Sequence, residues 1–556
     1  MQKDCKQCEE SFEILAEDRE LYDKVSPFFH EERFLIPNPV YCPWCRFIRR
    51  NAFRNENVLY KRQSSLSNNP VISIYSPDKP YKVYSYDEWW SEDFDALDYG
   101  RDFDFNRPFF EQFDELFKDV PKLNLIQDGT SENSDYTNYG SHNKNCYLTV
   151  GLKSEDAYYS TAIFSKDVCD SLFVVGSERL YECMDCDKCY NSFYLQNCDQ
   201  CVDSYFLESC IACKNCLGCK NLKHKEYHIF NKAYSKEEYE ELYNLYKLDT
   251  YTGIQEFKKQ FDEFKLTLPF KAFNHKSSEN STGDFLEGAK NCHCCFKVIR
   301  GAEHCRYSVQ IGLNCKDIID SNNADGELHC QADGVLNSQR ILFSHYMRNC
   351  SEILYSAFCY NSKNLFGCTG LKRKEYCILN KQYTKDEYDL MVHKILKHME
   401  KTGEWGQYFP PNISAFGYNE SYSYGFLPMP KEIVLKSKYK WADYEPAVVA
   451  KRRILAKDLP EKISNVESMK DVAIVCEVTG RLFKIIPQEL EFYRKHNLPL
   501  PRRHYYQRYL DRMDRRNPYK LWKRKCDKCS KIIETSFAPN GSETVYCEKC
   551  YLAEVY

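Results

Sequence analysis

The sequence predicts a multidomain, β-rich chain with a zinc-ribbon module at each end, flanking a duplicated, β-solenoid-like Cys-rich repeat with amphipathic helical segments. Three observations carry this reading: CxxC pairs at both ends, an alignment of the two ends on one another, and a 12-residue period of cysteines between them. At 556 residues the chain is too long for one core, and at roughly 150 residues per domain it divides into three or four units. The net charge of -4 is small for that size, so any signal for nucleic acid or membrane must be local. The start MQKDCKQCEE has no charged-then-apolar leader, and the longest apolar runs, such as Ile311 to Leu313, fall far short of the roughly 20 residues a membrane helix needs. The expectation is a soluble cytoplasmic protein, neither secreted nor membrane-bound. Its 30 cysteines are then reduced thiols, for which metal is favoured over disulfide.

The boundaries follow from these signals: an N-terminal module over 1–90, an acidic aromatic connector over 91–135, solenoid repeats over 136–232 and 283–381, a helical segment over 233–282 between them, a helix and linker over 382–470, and a C-terminal module over 471–556. Cys5 to Tyr22 aligns without a gap on Cys476 to Tyr493, and after a longer loop in the first copy LYKR at Leu59 to Arg62 meets LWKR at Leu521 to Arg524. The first copy keeps its leading ligand set, Cys5, Cys8, Cys42 and Cys45. Its trailing positions read Ser64, Ser67, Ser85 and Glu88. The second copy keeps the trailing set, Cys526, Cys529, Cys547 and Cys550, and its leading positions read Cys476, Thr479, His504 and Gln507. Two CxxC pairs can close a tetrahedral thiolate site with no open position, which is structural and not catalytic. Two structural Zn²⁺ sites are expected, one per module, in opposite halves.

The leading half, CxxC followed by a Glu- and Tyr-containing helix and then Pro and CxxCR, resembles the short probable zinc-binding ribbon domains of bacteria. With the Cys-rich repeat core, the arrangement is similar to uncharacterised zinc-ribbon proteins of candidate-phyla bacteria. That resemblance implies the fold and the metal sites and no reaction.

In the middle, Asn215 to Tyr239 reappears as Asn364 to Tyr388, each ending in a capping box, Ser235 with Glu238 and Thr384 with Glu387, that opens a helix. Tyr239, Leu242, Tyr243 and Tyr246 fall on one face of the first helix, and Tyr388, Met391, Val392, Ile395 and Met399 on one face of the second, as core packing requires. Upstream, Cys186, Cys198 and Cys210 form one column and Cys189, Cys201 and Cys213 another, a period that suggests stacked solenoid turns. The columns are open to three readings: an interior ladder of small residues, stacked disulfides, or an additional metal site at Cys186, Cys189, Cys198 and Cys201 on adjacent turns.

From Arg502 to Lys525 cations alternate with aromatics, and Arg502, Arg503, Arg508, Arg512, Arg515 and Arg516 with Tyr505 and Tyr506 make a candidate RNA or single-stranded DNA surface. A solvated helix face, or pairing with the acidic segment Asp78 to Asp135, competes with it. No phosphate loop, GxSxG elbow or HExxH helix occurs, so no catalytic residue is assigned. His304, His329 and His345 with Asp325 and Asp333 would be the polar groove of a carbohydrate-active solenoid enzyme. The favoured reading is a zinc-binding scaffold, leaning non-enzymatic, that binds a macromolecular partner, protein or RNA. The alternatives are an RNA-binding or ribosome-associated protein using 502–525, and then the solenoid enzyme.

Overall fold

The computed structural model describes residues 1–555. It is sheet-rich and multidomain, with its longest sheets in two stacks of parallel strands. In the first stack successive strands alternate between two sheets, and each pairs with the strand one turn later: Glu178 with Tyr190, Tyr181 with Phe193 and Leu207 with Cys219. The step is shorter at the start, Glu155 with Lys166, and in the second stack it varies from Ala289 with Ala302 through Asn322 with Asp333 to Gln339 with Ser351.

The turns are built three residues at a time. Glu182, Asp185, Lys188, Asn191, Tyr194, Asn197 and Gln200 all sit in the left-handed region, with φ between 47° and 63°. Each is followed by a buried residue: Cys183, Cys186, Cys189, Ser192, Leu195, Cys198 and Cys201. A left-handed corner costs an L-residue roughly 1–2 kcal/mol, so this backbone persists only because inter-turn hydrogen bonds outweigh that cost at every step. Corners so close together leave room inside for small side chains, and this accounts for the columns. Ser177, Cys189 and Cys201 occupy one column. Cys189 N donates to Ser177 Oγ at 3.1 Å and Cys201 N to Cys189 Sγ at 3.4 Å. The thiols in turn donate to backbone carbonyls, as Cys183 does to Tyr181 and Ser192, both at 3.4 Å.

Both capping boxes form: Glu238 N donates to Ser235 Oγ at 3.2 Å and Glu387 N to Thr384 Oγ1 at 3.4 Å. The helix Lys236–Leu245 lays Tyr239 against the end of the first stack, with Tyr243 and Tyr246 half-buried beside it. The helix Lys385–Thr402 buries Tyr388, Val392, Ile395 and Met399 on the second stack and stops at Gly403, whose φ of 74° suits a residue without a Cβ.

The end modules cross over. The N-terminal module shares one continuous core with the second stack, while residues 456–500 of the C-terminal region pack on the tyrosines of the first. The acidic connector does not pair with the modules' basic stretches. Asp95 meets Lys374 and Asp102 meets Lys381, at 2.5 and 2.6 Å, because the connector runs along the far end of the second stack.

Cys201→Ser preserves the donor that Ser177 already supplies in the same column. Its unfolding free energy in denaturant titration is expected to stay within about 1 kcal/mol of wild type, whereas Cys201→Leu overpacks the column and costs about 1–3 kcal/mol.

Candidate metal centres

Four turns of the chain share one backbone. Cys5 N, Ser64 N, Cys476 N and Cys526 N each donate to the carbonyl five residues on, Glu10, Asn69, Arg481 and Lys531, at 3.0, 2.8, 2.9 and 2.8 Å. The fifth residue of each turn, Glu9, Asn68, Gly480 or Ser530, returns a bond to the first carbonyl from φ values of 62°, 60°, 69° and 61°. A second ligand pair comes from the N-terminus of a helix. Cys42 caps the helix Pro43–Asn51, with Cys45 N donating to Cys42 Sγ at 3.4 Å, and Cys547 immediately precedes the helix Glu548–Val555.

In two of the four half-sites these elements bring four thiols together. Cys5, Cys8, Cys42 and Cys45 form one group and Cys526, Cys529, Cys547 and Cys550 the other, with the sulfurs of each within 4.8 Å of one another. Cys8 Sγ lies 3.7 Å from Cys42 Sγ, and Cys529 Sγ 3.7 Å from Cys547 Sγ. A tetrahedral ion with bonds of about 2.3 Å sets sulfurs about 3.8 Å apart, so both groups fit a metal of that size. Hydrogen bonding from Cys45, with the backbone helping, brings the Cys42 thiol down to about 5. At Cys526 burial opposes ionisation, but the amides of Cys547, Cys529 and Lys528 outweigh it and bring the thiol to about 6.

The other two half-sites hold their turns without such a set. Ser64 Oγ donates to Glu88 Oε2 at 2.5 Å and Ser85 N to the same oxygen at 2.7 Å. Against a burial penalty, these bonds and those of Ser67 and Ser85 hold the Glu88 carboxyl down at about 2. In the fourth, burial opposes ionisation of Cys476 but is overcome by the Thr479 hydroxyl and nearby amides. His504 Nδ1 accepts from Tyr506 N at 3.1 Å, and Gln507 turns away to donate to Asp511 at 2.8 Å.

The proposed extra metal residues Cys186, Cys189, Cys198 and Cys201 lie buried inside the first stack. Their thiols donate to the backbone carbonyls of Met184, Asp187, Gln196 and Asp199. Among the described residues the groups of three or more ligands within 4.8 Å of one another are the two terminal ones, and these four are not among them.

The candidate nucleic-acid residues are committed inside the molecule. Arg508 meets Asp170 at 2.7 Å and Glu489 at 3.0 Å; Arg512 meets Asp170 at 3.1 Å and Glu182 at 2.8 Å; Arg515 meets Glu182 and Arg516 meets Asp185. Arg502 pairs with Glu461, and Arg503 with Glu477 and Asp511. Tyr505 stacks on Tyr159, and Tyr506 is buried against Tyr509. Arg508, Arg512, Arg515 and Arg516 therefore dock on the first stack, while Arg502 and Arg503 pair within the C-terminal region. Sequence reasoning missed the other side of this contact, Asp170 and its counterpart Asp320, because neither belongs to a motif.

The histidines of the proposed groove do not converge. His329 lies inside the second stack, accepting from Ile341 N at 3.2 Å, and burial lowers it to about 4. His345 sits among Phe53, Phe358 and Phe409 and is lowered to about 3 by burial, while His304 lies on the surface near Asp317. Asp333 is buried beside Asn322 and Arg54.

No family model matches the chain and no curated protein matches it. Among solved structures, a "putative acetyltransferase from Desulfovibrio desulfuricans G20" aligns at 9% identity over 49% of this chain and 81% of that one, with a TM-score of 0.10 that carries no argument about fold or function. No helix among the described residues is long and apolar enough to cross a membrane.

Elemental analysis of the purified protein is expected to find two ions per chain, matching the two groups. Cys42→Ser and Cys529→Ser should each remove one, and Cys476→Ser none. Loss of metal on replacing Cys476 would place a ligand set in the wrong half.

Proposed function

We propose that the protein is a zinc-stabilised, non-enzymatic scaffold in which two copies of a β-solenoid are clasped by two ribbon modules and presented to a macromolecular partner in the cytoplasm. The parallel pairing of residues one turn of about 12 apart, closed by three-residue corners, supports the solenoid reading. All-thiolate groups without an open position support zinc in a structural role.

The observation that carries the proposal is that each module touches both stacks. The N-terminal module places Arg46 on Asp320 of the second stack at 2.7 Å, and its Asn55 carbonyl accepts from Asn138 Nδ2 beside the first at 2.8 Å. The C-terminal module places Arg508 and Arg512 on Asp170 of the first stack, and its Ser536 donates to Asp284 of the second at 2.8 Å. Between the modules the stacks meet directly through Lys297 and Asp185. A body held at this many points suits a rigid platform.

Arg512→Ala takes from Asp170 and Glu182 one of the two arginines that each meets, leaving them Arg508 and Arg515, and is expected to cost about 1–3 kcal/mol. Hydrogen exchange should then rise across residues 487–514 while both metal ions stay bound, and adding Asp170→Asn should recover part of the loss. Unchanged protection in Arg512→Ala would refute the clasp.

A further inference from the structure

The four half-sites share one backbone and so form an internal comparison of what each carries outside it. Around the Cys526 group stand Lys525, Lys528, Lys531 and Lys549. The aligned half-site of the first module has Gln63, Leu66, Asn69 and Asp87 there. The Cys5 group has Asp4, Gln7, Glu10 and Trp44, and the Cys476 half-site has Val475, Val478, Arg481 and Tyr506. The turn does not require lysines, since three half-sites build it without this set. The charge of four thiolates does not require them either, since the Cys5 group is flanked by Asp4 and Glu10.

All four lysines are exposed, and Lys523 joins Lys525 on the same face of the hairpin strand Trp522–Lys525. Lys528 reaches Glu554, whereas Lys523, Lys525, Lys531 and Lys549 stand in no ion pair among the described residues. Of the neighbouring acids, Asp527 and Glu548 are occupied by Arg524 and Lys271, and Glu534 lies across the hairpin from Lys523. Tyr546 is partly exposed with Lys528 Nζ 5.7 Å from its ring, whereas Trp522 alternates to the other face of its strand, near Lys520. The contrast with 502–516 is sharp: there each arginine has a carboxylate, and here the cations face solvent.

We propose that this lysine-ringed knuckle docks the phosphate backbone of single-stranded nucleic acid, with Tyr546 beside it for stacking on an unpaired base. An anionic membrane fits less well, because the exposed aliphatic side chains of this module are Val478, Ile532 and Leu552, of which Val478 belongs to the other half-site, and the two that remain do not make the apolar face that surface anchoring needs. The inference names the partner class of the scaffold and rests on that reading for the rigid presentation of the knuckle.

The test uses the metal-loaded full chain, a fluorescein-labelled oligouridylate and anisotropy over a salt series. Three or four phosphate contacts predict a log–log salt slope of about -2 to -3. Combined Lys525→Gln, Lys528→Gln, Lys531→Asn and Lys549→Gln should weaken binding at low salt by at least about tenfold while both metal ions are retained. Arg452→Gln with Arg453→Gln, which removes two exposed cations elsewhere, should change nothing. Equal binding by the quadruple variant, no binding by wild type at low salt, or binding to phosphatidylserine vesicles in place of the oligonucleotide would each overturn the proposal. If the oligonucleotide fails to bind while the module–stack interfaces stay protected, the docking site falls and the scaffold stands; if those interfaces exchange freely in wild type, the scaffold falls first.

Discussion

Two buried aspartates, Asp170 and Asp320, organise the molecule. Each occupies a left-handed corner of a stack with no exposure to solvent, facing arginines from the module at the opposite end of the chain. An ionised carboxylate in such a place is expensive unless paired and hydrogen-bonded, so a stack without its module is a poor structure. The two contacts match in detail. Arg46 and Arg508 occupy aligned positions, as do Tyr22 and Tyr493, and Asp18 and Glu489. Tyr22 donates to Asp320 and Tyr307 to Asp18; on the other side Arg508 donates to Tyr493 and Tyr159 to Glu489. Aligned positions of the two modules thus supply the groups that meet each stack.

Cysteine does two unrelated jobs here, and backbone geometry decides between them. Where a tight turn faces a helix N-terminus four sulfurs meet, and hydrogen bonds lower the thiols of Cys42 and Cys526 while burial raises that of Cys8 to about 11. Inside the stacks the thiols donate to carbonyls, and some, such as Cys189, also accept from an amide of the next turn. Burial then pushes the thiols up, as at Cys146 to about 11, and the protonated thiol serves as a weak donor that fits where Ser does. The same residue type thus reads as ligand or as ladder according to whether the backbone gathers four sulfurs at one point or spaces them along a column.

How much of this was legible in the sequence follows from how local each signal is. The CxxC pairs, the capping boxes at Ser235 and Thr384 and the 12-residue period all depend on residues close together, and each led to the right group, helix start or pairing step. The fate of Arg508 and Arg512 was not legible, since Asp170 lies more than three hundred positions away and an isolated aspartate carries no signature. The three-residue corners were hidden for another reason. Tyr194 and Phe206 hold φ of 63° and 53°, a conformation that propensity assigns to Gly or Asn, and only the repeated inter-turn hydrogen bonding makes it tolerable.

The half-sites differ in the cores beneath them. Those without four cysteines lie on large apolar surfaces. The Cys476 half-site belongs to a core that includes Ile474, Phe483, Phe492 and Tyr493 packed on the first stack, and the Ser64 half-site adjoins Trp89, buried against Tyr360. There a few hydrogen bonds around Glu88 or Cys476 suffice to hold a turn already fixed by packing. At the Cys5 group the aligned residues Leu21 and Tyr22 belong to the core shared with the second stack, and Phe12 and Ile14 lie beside the thiols, whereas the cluster at the Cys526 group is small, with Ala272, Ile533 and Val545 buried among the thiols. A cluster of that size does little by burial alone, so a metal held there would contribute folding free energy that packing cannot, and more of it than at the Cys5 group.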